Sequence, residues 1–133
     1  MNRTDARASA MKLIYEWDMG GNGGEDTHIG ILELTPDEPE YAYMVELVDG
    51  VKANVKDIDE RIERHAEGWK LDRLMRVDMA IMRVCMYELI KREPPAGVAI
   101  SAAVALAEKY STDKASSFVN GVLGNAWREM EAT

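Results

Sequence analysis

The chain has 133 residues, 47% apolar and 30% charged, the composition of one globular domain rather than of a disordered or fibrous chain. Its 16 Lys and Arg stand against 24 Asp and Glu, and a net charge of −8, taken whole, argues against a nucleic-acid partner. One cysteine, Cys85, excludes an internal disulfide and a cysteine-based zinc cluster. No apolar run nears the ~20 residues that span a bilayer and Met1 starts no signal-like stretch, so no membrane contact and a reducing, cytoplasmic setting are expected.

Few runs alternate with period two, so the chain reads as all-α. The first predicted helix covers 4–19: Ala6, Ala10, Leu13, Ile14 and Trp17 recur at helical spacing, with Thr4 or Asp5 as its cap. Gly20-Gly21 and Gly23-Gly24 end it and open a Gly-rich connector over 20–35, with a short helical turn at 29–34. Thr35-Pro36-Asp37-Glu38 has the form of a capping box with proline in the first turn. From there Tyr41, Met44, Val45, Val48, Val51, Val55, Ile58 and Ile62 predict one helix of roughly 30 residues. Gly50 within it should cost about 1 kcal/mol relative to Ala.

Gly68 interrupts the pattern, and the next helix is predicted over 71–91. It is apolar on nearly every side, which places it at the centre of the fold. Pro94-Pro95 stops it. Ile100, Ala103, Val104, Ala107 and Tyr110 mark a fifth helix. Asp113 is the expected cap of a sixth, striped by Phe118, Val119, Val122, Leu123, Ala126, Trp127 and Met130. Asn120-Gly121 would suit a hairpin, but the helical period runs straight through it.

Catalysis and metal binding find little footing. Cys85 lies in the most apolar helix and reads as an inert core thiol. Glu25 and His28 have the Glu-x-x-His spacing of a di-iron site, but in a Gly-rich loop; the residue three before His65 is Ile62. The glycines at 20–24 follow a helix, not a strand, and no Gly-Lys-Ser/Thr follows, so they form no phosphate loop. Arg83, between Met82 and Val84, either meets a carboxylate on a neighbouring helix or marks an edge open to solvent or ligand. Arg3, Arg7 and Lys12, near Tyr15 and Trp17, could hold RNA phosphates. On composition alone they read as surface charge, because Asp5, Glu16 and Asp18 balance them.

Ordered motifs carry more. Arg76-Val77-Asp78, Ala80-Ile81-Met82-Arg83, Tyr87-Glu88-Leu89, Val98-Ala99-Ile100, Leu106-Ala107-Glu108-Lys109-Tyr110 and above all Phe118-Val119-Asn120-Gly121-Val122-Leu123 resemble the NusB transcription antitermination family. Arg3, Ala6-Arg7, Ala10, Leu13, Tyr15 and Trp17 match the family's opening helix, leaving only about 20–39 uncovered. The resemblance implies one all-α domain over 1–133, of six to seven helices in two packed subbundles, without enzymatic activity or cofactor. It implies binding of boxA RNA together with NusE, a small-subunit ribosomal protein, in an antitermination complex with RNA polymerase that serves ribosomal RNA operons. Carried onto this chain, the RNA-side residues are Arg3, Arg7, Lys12, Tyr110, Lys114 and Phe118, and the partner-side candidates are Asp78 and Arg83. A homodimer is a further possibility the resemblance raises.

Departures from the pattern matter too. Thr4 and Asp5 stand where relatives often carry arginines, Ser101-Ala102 where Asn-Glu is usual, and Ser117 where a basic residue is frequent. Losing two phosphate contacts should flatten the salt dependence of RNA binding, by roughly 0.7 to 0.9 units of slope each. An adaptor that keeps the fold and has lost RNA is therefore the second reading. A third, an rRNA methyltransferase with such a domain at its front, has no room within 133 residues. The charge itself is local: residues 25–49 hold eight acids and no Lys or Arg, which accounts for the whole −8. RNA is then admissible if that segment points away from it.

Overall fold

The computed structural model describes residues 1–21, 34–66 and 74–132. They form six helices: α1 Arg3–Asp18, α2 Tyr41–Ala53, α3 Val55–His65, α4 Arg76–Lys91, α5 Ala96–Tyr110 and α6 Asp113–Glu131. No strand occurs among them. Most of the predicted connector, residues 29–33 of the expected turn, His28 and Gly68 lie outside the described residues.

α4 is the hub. Every side of it from Asp78 to Met86 is buried, as are Glu88 and Leu89, and it packs against all five other helices. A helix apolar nearly all round is stable only where protein covers every side. α1 and α2 lie together on one side of it, and α5 and α6, joined by α3, on the other. These are the two packed subbundles of the all-α fold. The expected stripe of α1 is buried through Ala6, Ala10, Leu13 and Ile14, and α6 buries Val119, Val122, Leu123, Ala126 and Met130.

Helix ends depart from expectation for local reasons. Asn2, not Thr4 or Asp5, caps α1: its side chain accepts from the Asp5 N–H at 2.8 Å, while Asp5 accepts from the Asn2 N–H at 3.2 Å. Thr112, not Asp113, caps α6 by accepting from the Ala115 N–H at 3.2 Å. α2 starts at Tyr41 rather than in the Thr35 box, because Pro39 disfavours helical geometry at Glu38. The polar groups are engaged elsewhere as well: Thr35 donates to Asp37, Glu38 meets the Met1 ammonium at 3.2 Å, and Glu40 turns the chain at φ 65°.

The single long helix is in fact two. Asn54 leaves helical geometry at φ −119° and ψ 17°, and its side chain donates to the Gly50 carbonyl at 2.8 Å. Asn competes with a helix in this way, by offering a carbonyl a side-chain partner. The apolar spacing survives because Ile58 still donates to the Asn54 carbonyl at 2.9 Å, so α3 continues the same buried stripe. Gly50 of α2 faces Tyr87 of α4 closely: a Cβ there would lie 2.1 Å from the Tyr87 ring.

Candidate nucleic-acid and partner surface

Arg7 turns inward. Its Nε and Nη2 donate to the Glu88 carboxylate at 3.0 and 3.1 Å, and the Tyr43 hydroxyl donates to the same carboxylate. Glu88 is wholly buried and the Arg7 side chain is 8% exposed, so Arg7 makes no phosphate contact in this conformation. Burial works against the Arg7 charge, but the hydrogen bonds and charge of Glu88 prevail and hold its pKa above the ordinary value. Burial pushes the Tyr43 phenol up, and the Glu88 hydrogen bond and charge add to it. The Cys85 thiol is pushed up chiefly by burial, consistent with a core role. Helical spacing explains the inward turn, since Arg7 lies next to Ala6 and one turn from Ala10 and Met11, all buried. The clue was present: Glu88 lies between Met86 and Leu89 on the all-apolar helix, the same anomaly that singled out Arg83.

Arg83 is also internal. It donates to Asp59 of α3 at 2.9 and 2.8 Å and lies 3.3 Å from Asp18 at the end of α1. The carboxylate on a neighbouring helix is thus the observed arrangement. With a side chain 10% exposed, Arg83 ties three helices together and presents little to a partner.

Asp78 differs from both. It is buried in the first turn of α4, and its Oδ1 has no hydrogen-bond partner among the described residues. It lines a cleft of about 330 Å³ with Met75, Thr112, Lys114 and Phe118. Two RNA-side candidates and one partner-side candidate therefore share one opening, where α4 and α6 both begin. Met75 is 51% exposed at its rim.

A second opening, of about 270 Å³, lies between α1 and α5. Here Lys12 and Tyr110 meet: the Lys12 ammonium lies 5.2 Å from the Tyr110 ring centroid, and that of Lys109 lies 5.3 Å away. Lys109 was not among the expected residues, although its position beside Tyr110 is the only signal needed. Tyr110 closes α5 and Thr112 opens α6, so the groove and the cleft adjoin across that turn.

Arg3 is exposed and stacks over the Tyr43 ring at 3.6 Å, and it is also ion-paired to Glu40. With Glu38 on the Met1 ammonium, two acids of the 25–49 segment sit on the N-terminal cations. The condition set for RNA, that the acidic segment point away from it, is thus not met at Glu38 and Glu40. Elsewhere, Glu129 holds Arg64 and His65, with the His65 ring nitrogen at 3.2 Å. Among the described residues, no group of three or more His, Cys, Asp or Glu could hold a metal. None of their helices is long and apolar enough to cross a membrane.

The sequence model of the NusB family matches residues 4–128. The Transcription antitermination protein NusB of Clostridium novyi is 39% identical over 94% of this chain and 97% of its own length; that of Acetivibrio thermocellus is 40% identical over 93% and 87%. Among solved structures, a chain in the crystal structure of the antitermination factors NusB and NusE in complex with dsRNA superposes with a TM-score of 0.85, at 31% identity over 96% of both chains. The solution structure of NusB from Aquifex aeolicus matches with a TM-score of 0.79, at 32% identity over 98% of this chain and 90% of that one. On the family match and on relatives near 40% identical across almost their whole length, the chain belongs to the NusB family.

Proposed function

We propose that the chain is a transcription antitermination factor that binds boxA-type RNA together with NusE. The observation that carries the reading is the likeness, over 96% of both chains, to the factor solved with NusE and double-stranded RNA. The RNA side runs from Arg3 through the Lys12–Tyr110 groove to Lys114 and Phe118, where cations hold phosphates and aromatic faces receive bases. The partner side is placed at the cleft that Asp78 lines, whose exposed apolar rim at Met75 a partner can cover. Arg7 and Arg83 act from inside, by fixing α1 and α3 against α4. The chain then works as one non-catalytic RNA-binding domain, in the cytoplasm, within an antitermination complex on RNA polymerase.

The adaptor reading has its own support in the burial of Arg7 and the pairing of Arg3 with Glu40. Titration of a boxA-type RNA into the chain alone and into its mixture with NusE separates the two. Tighter RNA binding in the mixture than with either protein alone is the expected result. NusE binding without any RNA binding, at low salt, would leave the adaptor.

A further inference from the structure

We propose that Met19 and Met75 are oxidation sites through which peroxide, by turning both thioethers into sulfoxides, weakens the docking of the protein partner. The proposal rests on the NusE-binding reading above and adds to it a modification and its consequence. Burial separates these two side chains from the others of their kind. Of nine methionines, Met11, Met44, Met79, Met82, Met86 and Met130 are buried and Met1 is half-buried, while Met19 is 57% and Met75 51% exposed. Oxidants reach exposed thioethers first. Cys85, the one thiol, lies in the core and offers no competing site.

Position gives the modification its effect. Met19 closes α1 and Met75 opens α4, and the Asp18–Arg76 ion pair, at 2.8 Å, ties those two ends together. The exposed methionines therefore flank one bridge, each next in sequence to one of its residues. Tyr15, 37% exposed, lies one turn before Met19, and Met75 borders the Asp78 cleft with Leu74 and Phe118. Among the described residues, these three and Val98 of α5 are the exposed large apolar side chains. Flexible, polarisable thioethers at such a surface suit a protein partner. In the oxidation, the Sδ lone pair attacks a peroxide oxygen, and the S–O bond forms as the O–O bond breaks. The departing hydroxide takes the proton of the transferred oxygen and leaves as water. Sulfur loses two electrons and gains a polar oxygen, which an apolar contact must then desolvate. Sulfoxide reductases reverse the step.

The test treats the full chain with hydrogen peroxide, removes the peroxide, maps added oxygen by peptide mass spectrometry and titrates NusE into treated and untreated chain. Met19 and Met75 should gain oxygen before any buried methionine, with the urea midpoint unchanged. NusE affinity should fall roughly tenfold, the cost of an unpaired polar group in a contact, and a methionine sulfoxide reductase should restore it. Met19→Leu with Met75→Leu, of similar volume and at exposed positions, should bind NusE as the unmodified chain does and lose the response to peroxide. Oxidation spread evenly over buried and exposed methionines would overturn the proposal. So would undiminished NusE affinity after treatment, or a peroxide response that survives in the leucine pair. An untreated chain that binds no NusE would overturn the partner reading together with the regulation, whereas the mass map decides the two oxidation sites without NusE.

Discussion

Arg7 and Glu88 illustrate how a charge on a helix near the N-terminus becomes structural. Their pair, 81 residues apart in sequence, is buried, so removing one partner strands the other. Arg7→Ala should destabilise the fold by about 3–5 kcal/mol, read by urea denaturation, whereas Arg7→Met with Glu88→Leu should recover much of the loss. A loss below 1 kcal/mol for Arg7→Ala would mean that the pair carries little of the fold. Arg3 is the exposed counterpart. Glu40→Gln should raise RNA affinity about two- to fivefold at low salt, in line with the modest strength of exposed ion pairs, with the gain fading as salt rises. Unchanged affinity would show that Glu40 does not compete with phosphate for Arg3. Glu88 was legible as an anomaly on the apolar helix, but its partner Arg7 was not, nor was Glu40 beside Arg3, because a long-range pair leaves no periodic trace.

The helices themselves were largely legible. The all-round apolar character of α4 and the three- and four-residue steps of α1 and α6 follow from burial, which the sequence records directly. Helix ends were less so: Asn54 divides α2 from α3 by one side-chain hydrogen bond, and Pro39 holds Glu38 out of helical geometry, so that α2 waits until Tyr41. Gly50 was legible as a defect and not as a fit. Gly50→Ala should therefore destabilise by about 1–3 kcal/mol through overpacking against Tyr87, despite the better helix propensity of Ala. Equal or greater stability in urea would show that α2 can move off α4 at little cost.

The same helix pair gives a pH dependence. The hydrogen bond from Lys91 holds the Glu46 carboxyl below its usual range, against some desolvation, with the Tyr87 hydroxyl adding a second bond. A carboxylate depressed in the folded state stabilises above its unfolded pKa, near 4.3 for Glu, and loses that stabilisation as pH falls through the folded value. Glu46→Gln should thus lower the urea midpoint at pH 7 and narrow the gap to wild type below about pH 4. A gap that stays constant across that range would detach Glu46 from the acid response.

At the scale of the whole molecule, the fold gathers what the sequence scatters. Lys114 and Phe118 join Asp78 in one cleft, Lys12 and Tyr110 share the adjoining groove, and Arg7 and Arg83 withdraw into the interior. The net charge of −8 is likewise a poor guide until it is placed, since Glu38 and Glu40 lie on the N-terminal cations themselves. The proposed RNA and NusE faces meet at one cleft, so the proposal requires them to be thermodynamically coupled, and coupling is reciprocal. The most direct test is the affinity of the chain for NusE, measured with and without saturating boxA-type RNA. The account predicts tighter NusE binding with RNA present, by the same factor by which NusE tightens RNA binding. NusE affinity that is identical in both conditions would contradict it.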